Sequence, residues 1–142
     1  MLFRSQTMRI FIDTNVILDI LQKREPFFAA SYQALCSAMD SGTECLLSAT
    51  AVTDIFYMLR KALGSAQQAR EHIEQLSQIV TFADVLGLDI HTAFTRAMSD
   101  FEDAVVDAVA ERCGASIILT RNVKDFSGSV VPAVTPAEFL KK

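Results

Sequence analysis

The sequence predicts a single-domain α/β fold on a central parallel sheet, and three observations carry that prediction. Short uninterrupted apolar runs recur along the chain (Ile10-Phe11-Ile12, Cys45-Leu46-Leu47, Ile117-Ile118-Leu119), as strands buried on both faces require. Between them lie segments with apolar residues at helical spacing, so strands and helices alternate. At 142 residues the chain can bury one core without staples, and no repeat, linker or low-complexity stretch divides it. A sheet of four or five strands flanked by helices follows.

The first strand, at Ile10-Phe11-Ile12, passes into a helix marked by Val16, Ile17, Leu18, Ile20 and Leu21, with Thr14 or Asn15 able to cap it. Asp13 then lies at the carboxyl end of the strand, the edge at which open α/β sheets bind ligands. An Asp-Thr-Asn junction is also an ordinary way to begin a helix, so other acids must decide its role. Gln22 to Pro26 is polar and closes the first helix before a proline. A second helix covers residues 27–39 and stops at Ser41-Gly42, forming a helical hairpin with the first.

A second strand covers residues 45–49, and a helix over residues 50–63 follows, carrying Thr53 and Asp54 in its first turn and ending at Gly64-Ser65. Residues 66–78 form a further helix and residues 79–82 a third strand. Asp89 or Thr92 opens a helix running to about residue 98, and Ser99-Asp100-Phe101-Glu102 has the form of a capping box for a helix reaching Gly114. Residues 116–120 make a fourth strand that ends in a polar edge, Arg121 to Phe126. A last short strand near residues 130–134 precedes Pro136 in the first turn of a closing helix.

Residues 1–7 read as an N-terminal extension to a domain over residues 8–142; they lack the apolar core of a signal peptide, and Met8 is an alternative start. No run approaches the roughly eighteen apolar residues of a membrane span, so a cytoplasmic protein is the default expectation. Cys36, Cys45 and Cys113 form no C-x-x-C pair, and an odd count argues against a disulfide framework. His72 and His91 are isolated and lack zinc-site spacing. The formal charge of −4 counts against nucleic acid as a partner, but it hides an asymmetry. Asp100, Glu102, Asp103, Asp107 and Glu111 crowd one segment, while Arg60-Lys61 and Arg121/Lys124 lie elsewhere.

Acidic or amide positions fall where strands give way to helices or helices begin: Asp13, Asp54, Asp103 with Asp100, and Asn122 or Asp125. In a parallel sheet these junctions share one edge, so carboxylates distant in sequence converge. Converging carboxylates raise each other's pKa unless a cation sits among them. An oxygen-only donor set without His or Cys points to Mg²⁺ or Mn²⁺ rather than zinc. Such ions activate water and stabilise charge on a phosphoryl oxygen, the chemistry of phosphodiester hydrolysis. The absence of a Ser-His or Cys-His pairing argues against a covalent nucleophile.

Each position also has a plainer reading. A first-turn Asp54 suits the helix macrodipole. Asp100 can be a cap or a support to the site, Asp107 a solvated position one turn beyond Asp103, and Thr120 a buried strand-end hydroxyl. Arg121, Lys124, Arg60 and Lys61 can contact phosphates or simply be surface charges.

The segments Ile10-Phe11-Ile12-Asp13-Thr14-Asn15, Asp100-Phe101-Glu102-Asp103-Ala104 and Leu119 to Phe126 resemble the signatures of PIN-domain nucleases, in the same order and over nearly the whole chain from Met8. The resemblance implies a ribonuclease dependent on one or two Mg²⁺ or Mn²⁺ ions, with Asp13 as first metal ligand and Thr14 and Asn15 supporting it. Asp103 resembles the third acid. Asp54 stands where the family usually has a helix-borne Glu, and its shorter side chain would reach an ion through water. Asn122 stands where the family often has Asp, which leaves Asn122 or Asp125 to supply the fourth oxygen. Small bacterial members of this family are mostly toxins of toxin-antitoxin pairs, related to VapC. The resemblance therefore also implies RNA as substrate, an antitoxin partner and a homodimer, with residues 27–39 and 52–59 as candidate contact surfaces. Two rival expectations stand beside it. The same carboxylates would serve a metal-dependent phosphatase or DNA nuclease, and the Asp54 and Asn122 departures allow a catalytically inactive PIN-like binding domain.

Overall fold

Five parallel strands in the order β3-β2-β1-β4-β5 make the centre of the computed structural model, which describes residues 8–141. The expected extension, residues 1–7, lies outside the described residues. The strands are β1 (Arg9–Ile12), β2 (Glu44–Ser48), β3 (Thr81–Ala83), β4 (Ile117–Leu119) and β5 (Ala133–Val134). The helices are α1 (Thr14–Leu21), α2 (Phe28–Asp40), α3 (Ala49–Leu63), α4 (Ala66–Leu76), α5 (Gly87–Ala93), α6 (Phe101–Arg112) and α7 (Pro136–Leu140), with a 3-10 turn at Val123–Phe126.

Strand alternation divides the apolar residues between two layers. Ile10 and Ile12 of β1, Cys45 and Leu47 of β2, and Ile117 and Leu119 of β4 pack against α1, α2, α3 and α4. Phe11, Leu46 and Ile118, one residue out of phase, pack on the other face with Val109 and Ala110 of α6 and with Phe126 and Val131. Both faces are therefore covered, which explains strands that are apolar without a break.

The chain winds outward from β1 to β2 and β3, then returns to β4 on the other side of β1. Strands β1 and β4 thus flank the point where the winding reverses. Their ladder runs from Ile10↔Ile117 to Ile12↔Leu119, and the Asp13 N–H extends it by donating to the Leu119 carbonyl at 2.9 Å.

Several boundaries differ from those the sequence predicts, each for a local reason. Asp13, not Thr14 or Asn15, caps α1, because its carboxylate accepts the Thr14 N–H in an extended conformation. Asp100, not Ser99, caps α6, its Oδ1 accepting the Asp103 N–H at 3.0 Å. The helix expected to reach about residue 98 ends at Ala93, and Arg96 beyond it turns its guanidinium inward to Asp107. The fifth strand shrinks to Ala133–Val134 because the N–H groups of Val130 and Val131 are spent on the Asp107 carboxylate at 2.9 Å each.

Candidate active site

Asp13 is fixed by three donors. Its Oδ1 accepts the Thr14 N–H at 2.8 Å, and its Oδ2 accepts from Asn15 Nδ2 at 3.2 Å and from Thr120 Oγ1 at 2.7 Å. Thr120 follows β4 and is fully buried. Its oxygen accepts the Asn122 N–H at 3.1 Å, which leaves the hydroxyl proton to be donated to Asp13. The side chain is thus a strand-end hydroxyl bonded to the backbone, as expected, and it also donates to a carboxylate.

Around this anchor the structure gathers further carboxylates. Burial pushes the Asp13 carboxyl above its usual range and Asp125 adds to the rise, against the hydrogen bonds from Thr120 and Thr14. Asp103, in the first turn of α6, is pushed up to about 7 by burial and by the charges of Asp100, Asp13, Asp125 and Glu102. Helix N-termini favour carboxylates, so this rise occurs despite the α6 dipole. Asp125 sits on the 3-10 turn after β4 and, like Asn122 before it, is exposed.

Asp54 occupies a different wall. It is exposed on α3 and lines a cleft with Thr14, Gln22, Tyr57, Met58 and Lys61, while the largest influences on Asp13 and Asp103 do not include it. Among the described residues no three His, Cys, Asp or Glu side chains are grouped so as to hold one ion together. The chemistry of the donors nevertheless fits Mg²⁺ or Mn²⁺, which take one or two carboxylates and complete their shells with water and substrate phosphate. The side chains near Asp13 that could ligate an ion, those of Asp103, Asn122 and Asp125, would do so through oxygen. His72 is engaged on α4 with the Gln68 carbonyl, and His91 packs against Phe94, so neither contributes the nitrogen that zinc prefers.

Two charged residues read as plain surface charges are placed otherwise. Arg121 is paired: Nε donates to the fully buried Asp19 at 2.6 Å, Nη2 donates to the same carboxylate at 3.3 Å, and the group lies 4.2 Å over the Phe27 ring. The Arg121 N–H in turn reaches Asn15 Oδ1 at 3.4 Å, so the pair braces the loop that holds Asp13. Asp107 is not solvated but fully buried, where it accepts from Arg96 Nε at 2.7 Å and from the Val130 and Val131 N–H groups. Lys124 is exposed on the 3-10 turn.

The bracing role of Asp19, Asp89 and Asp107 escaped the sequence analysis, which took Asp89 for a helix opener and Asp107 for a solvated position. Each is buried and paired with an arginine, Arg121, Arg112 or Arg96, that lies between 11 and 102 residues away. No local spacing announces such pairs.

Comparison with known proteins bears on the family and the fold. A family model described as PIN domain matches residues 9–124. Ribonuclease VapC1 of Aquifex aeolicus is 24% identical over 139 residues, covering 94% of each chain. Among solved structures, a toxin-antitoxin complex from Klebsiella pneumoniae superposes with a TM-score of 0.67 at 20% identity, covering 89% of this chain and 97% of that one. VapBC2 from Rickettsia felis, bound to a DNA fragment from its promoter, gives a TM-score of 0.70 at 13% identity over 90% and 98% of the two chains. With the matched span reaching from β1 into the turn after β4, the chain belongs to the PIN-domain family.

Proposed function

We propose that this protein is a metal-dependent endoribonuclease and the toxin of a type II toxin-antitoxin pair. The observation that carries the reading is Asp13, pinned by three donors at the reversal point of a parallel sheet and set beside Asp103 and Asp125. The relatives support the biological half: one is a ribonuclease by name, and the solved neighbours include toxin-antitoxin complexes.

Asp13 and Asp103 would hold a Mg²⁺ or Mn²⁺ ion, with an oxygen from Asn122 or Asp125 and with Asp54 acting through water from the α3 wall. When bound, such an ion supplies a Lewis acid for the phosphoryl oxygen and lowers the pKa of water. The chain's own contribution is orientation. Thr14, Asn15 and Thr120 fix both Asp13 oxygens, so little reorganisation remains to be done when charge develops on the phosphate. Asp103 must give up its proton to act as a ligand, so the ion binds more tightly as pH rises.

Cleavage of a single-stranded RNA in Mg²⁺ or Mn²⁺, its loss in chelator and its loss in Asp13→Ala test the reading. Single-stranded DNA and a small phosphate ester assayed in parallel separate a DNA nuclease or phosphatase from a ribonuclease. An Asp13→Ala protein that is as active as the parent, or a parent inert with all three substrates, overturns the proposal. Growth arrest on expression, relieved by an adjacent small gene, is the expected sign of the toxin role. In that setting the protein is a cytoplasmic homodimer whose antitoxin covers the acidic cleft; among the described residues no helix is long and apolar enough to cross a membrane.

A further inference from the structure

The outward face of α3, whose Tyr57 and Met58 also fall within the expected contact surface of residues 52–59, carries a composition that core packing does not explain. Asp54, Tyr57, Met58 and Lys61 stand at i, i+3, i+4 and i+7 and so share one stripe of the helix. Ala51, Ile55 and Leu59 on the opposite face supply the core contact. Tyr57 is 63% exposed, and no ring or hydrogen-bond partner is found for it among the described residues.

The stripe lines two adjoining hollows. One, of about 740 Å³, includes Thr14, Asp54, Tyr57 and Lys61; the next, of about 470 Å³, includes Tyr57, Arg60, Lys61 and Gly64. The first opens at Thr14, whose N–H binds the Asp13 carboxylate. A path therefore leads from the acidic centre, past an exposed aromatic ring, to two cations. Seven residues of helix separate Asp54 from Lys61, about 10 Å of rise, the scale of one or two nucleotides.

We propose that this face of α3 is a subsite for nucleotides of single-stranded RNA flanking the cleaved bond, with Tyr57 stacking on a base and Lys61 and Arg60 contacting phosphate. The inference rests on the ribonuclease reading and extends it to substrate binding. A chain of net charge −4 with an acidic centre needs local cations to hold a polyanion, and Arg121 is already committed to Asp19. Basic residues in the last turn also suit a helix C-terminus, but that role does not account for a solvent-facing tyrosine between them and the acids. Aromatic platforms interleaved with cations are how proteins hold single strands without reading sequence.

Fluorescence anisotropy of a labelled single-stranded oligoribonucleotide, measured on the full chain carrying Asp13→Ala to prevent cleavage, tests the subsite. Tyr57→Ala and Lys61→Gln are each expected to weaken binding roughly tenfold, Tyr57→Phe to retain it, and Lys61→Gln to flatten the salt dependence. In proteins with Asp13 intact, the same changes raise KM and leave kcat nearly constant. All these side chains point to solvent, so melting temperatures should stay with the parent. Unchanged binding in both variants, with RNA cleavage by the parent intact, overturns the subsite and leaves the ribonuclease reading standing. A parent that neither binds nor cleaves RNA overturns both. Lost binding accompanied by a changed sedimentation coefficient assigns the face to contacts between copies and likewise overturns the subsite.

Discussion

At Thr120 a buried hydroxyl accepts from the Asn122 N–H and so has its own proton free for Asp13 Oδ2. Thr120→Val keeps the shape and removes the relay, leaving one backbone donor unpaired and the carboxylate short of one partner. We expect a stability loss of about 1–3 kcal/mol in chemical unfolding and a larger fractional loss of cleavage, with the Asp13 pKa rising further. Asp103 makes a second residue-scale prediction. Its carboxyl holds a proton to about pH 7 in the native state, against 3.8 for an ordinary Asp. Between those values the folded protein binds more protons than the unfolded chain, so without metal its stability falls as pH rises from about 4 to about 7 and levels off above. Thermal melts in chelator should show this slope, and Asp103→Asn should flatten it. Asp13 was legible in the sequence as a polar interruption at a strand end, because a carboxylate directly after Ile10-Phe11-Ile12 has no core role to play, and Asp103 as an acid where a helix begins. Which donors hold them was not, because Thr120 lies 107 residues from Asp13 and only the sheet order brings them together.

The elements were legible where periodicity is strong and uncertain where side chains replace backbone partners. Among the described residues, the five strands and seven helices correspond to segments marked by apolar runs, helical spacing or cap and proline signals, and the errors cluster around residues 94–134, where buried ion pairs redirect the chain. Asp107 on α6 is the central case. By accepting from Arg96, Val130 and Val131 it ties the segment after α5 and the loop before β5 to one helix, and it cuts the fifth strand short. Asp107→Ala would leave the buried Arg96 guanidinium with Glu111 alone and two backbone donors unpaired; such losses cost roughly 3–5 kcal/mol, a large share of a small domain's stability. The same loop carries Gly128 at φ +92°, where a Cβ would collide with the Ala97 carbonyl oxygen. Gly128→Ala is therefore expected to cost about 1–3 kcal/mol, while Gly87→Ala, which meets nothing within 4 Å and has no such backbone demand, should be nearly neutral in the same unfolding assay.

On the scale of the whole molecule, the winding order places β1 and β4 side by side and so collects Asp13, Thr120, Asn122 and Asp125 at one edge, with α6 bringing Asp103 over from the second layer. Alternating strands and helices announced a parallel sheet, but not which strands would be neighbours. That choice decides which acids meet. It also leaves a concentration of like charge that the fold carries at some cost, visible in the raised pKa values of Asp13 and Asp103. A cation that binds there relieves the repulsion in the native state alone and must stabilise the whole domain through linkage. At a hundred times its dissociation constant, Mn²⁺ should add about 2.7 kcal/mol, which for a domain of this size raises the melting temperature by roughly 5–10 °C. Because Asp103 must first lose its proton, the shift should be larger at pH 8 than at pH 6 for the same Mn²⁺ concentration. Asp13→Ala should remove the shift, while Asp54→Ala, on the opposite wall of the cleft, should reduce it less. Differential scanning calorimetry across a Mn²⁺ titration checks all three proteins, and equal shifts in the parent and Asp13→Ala would place the ion elsewhere.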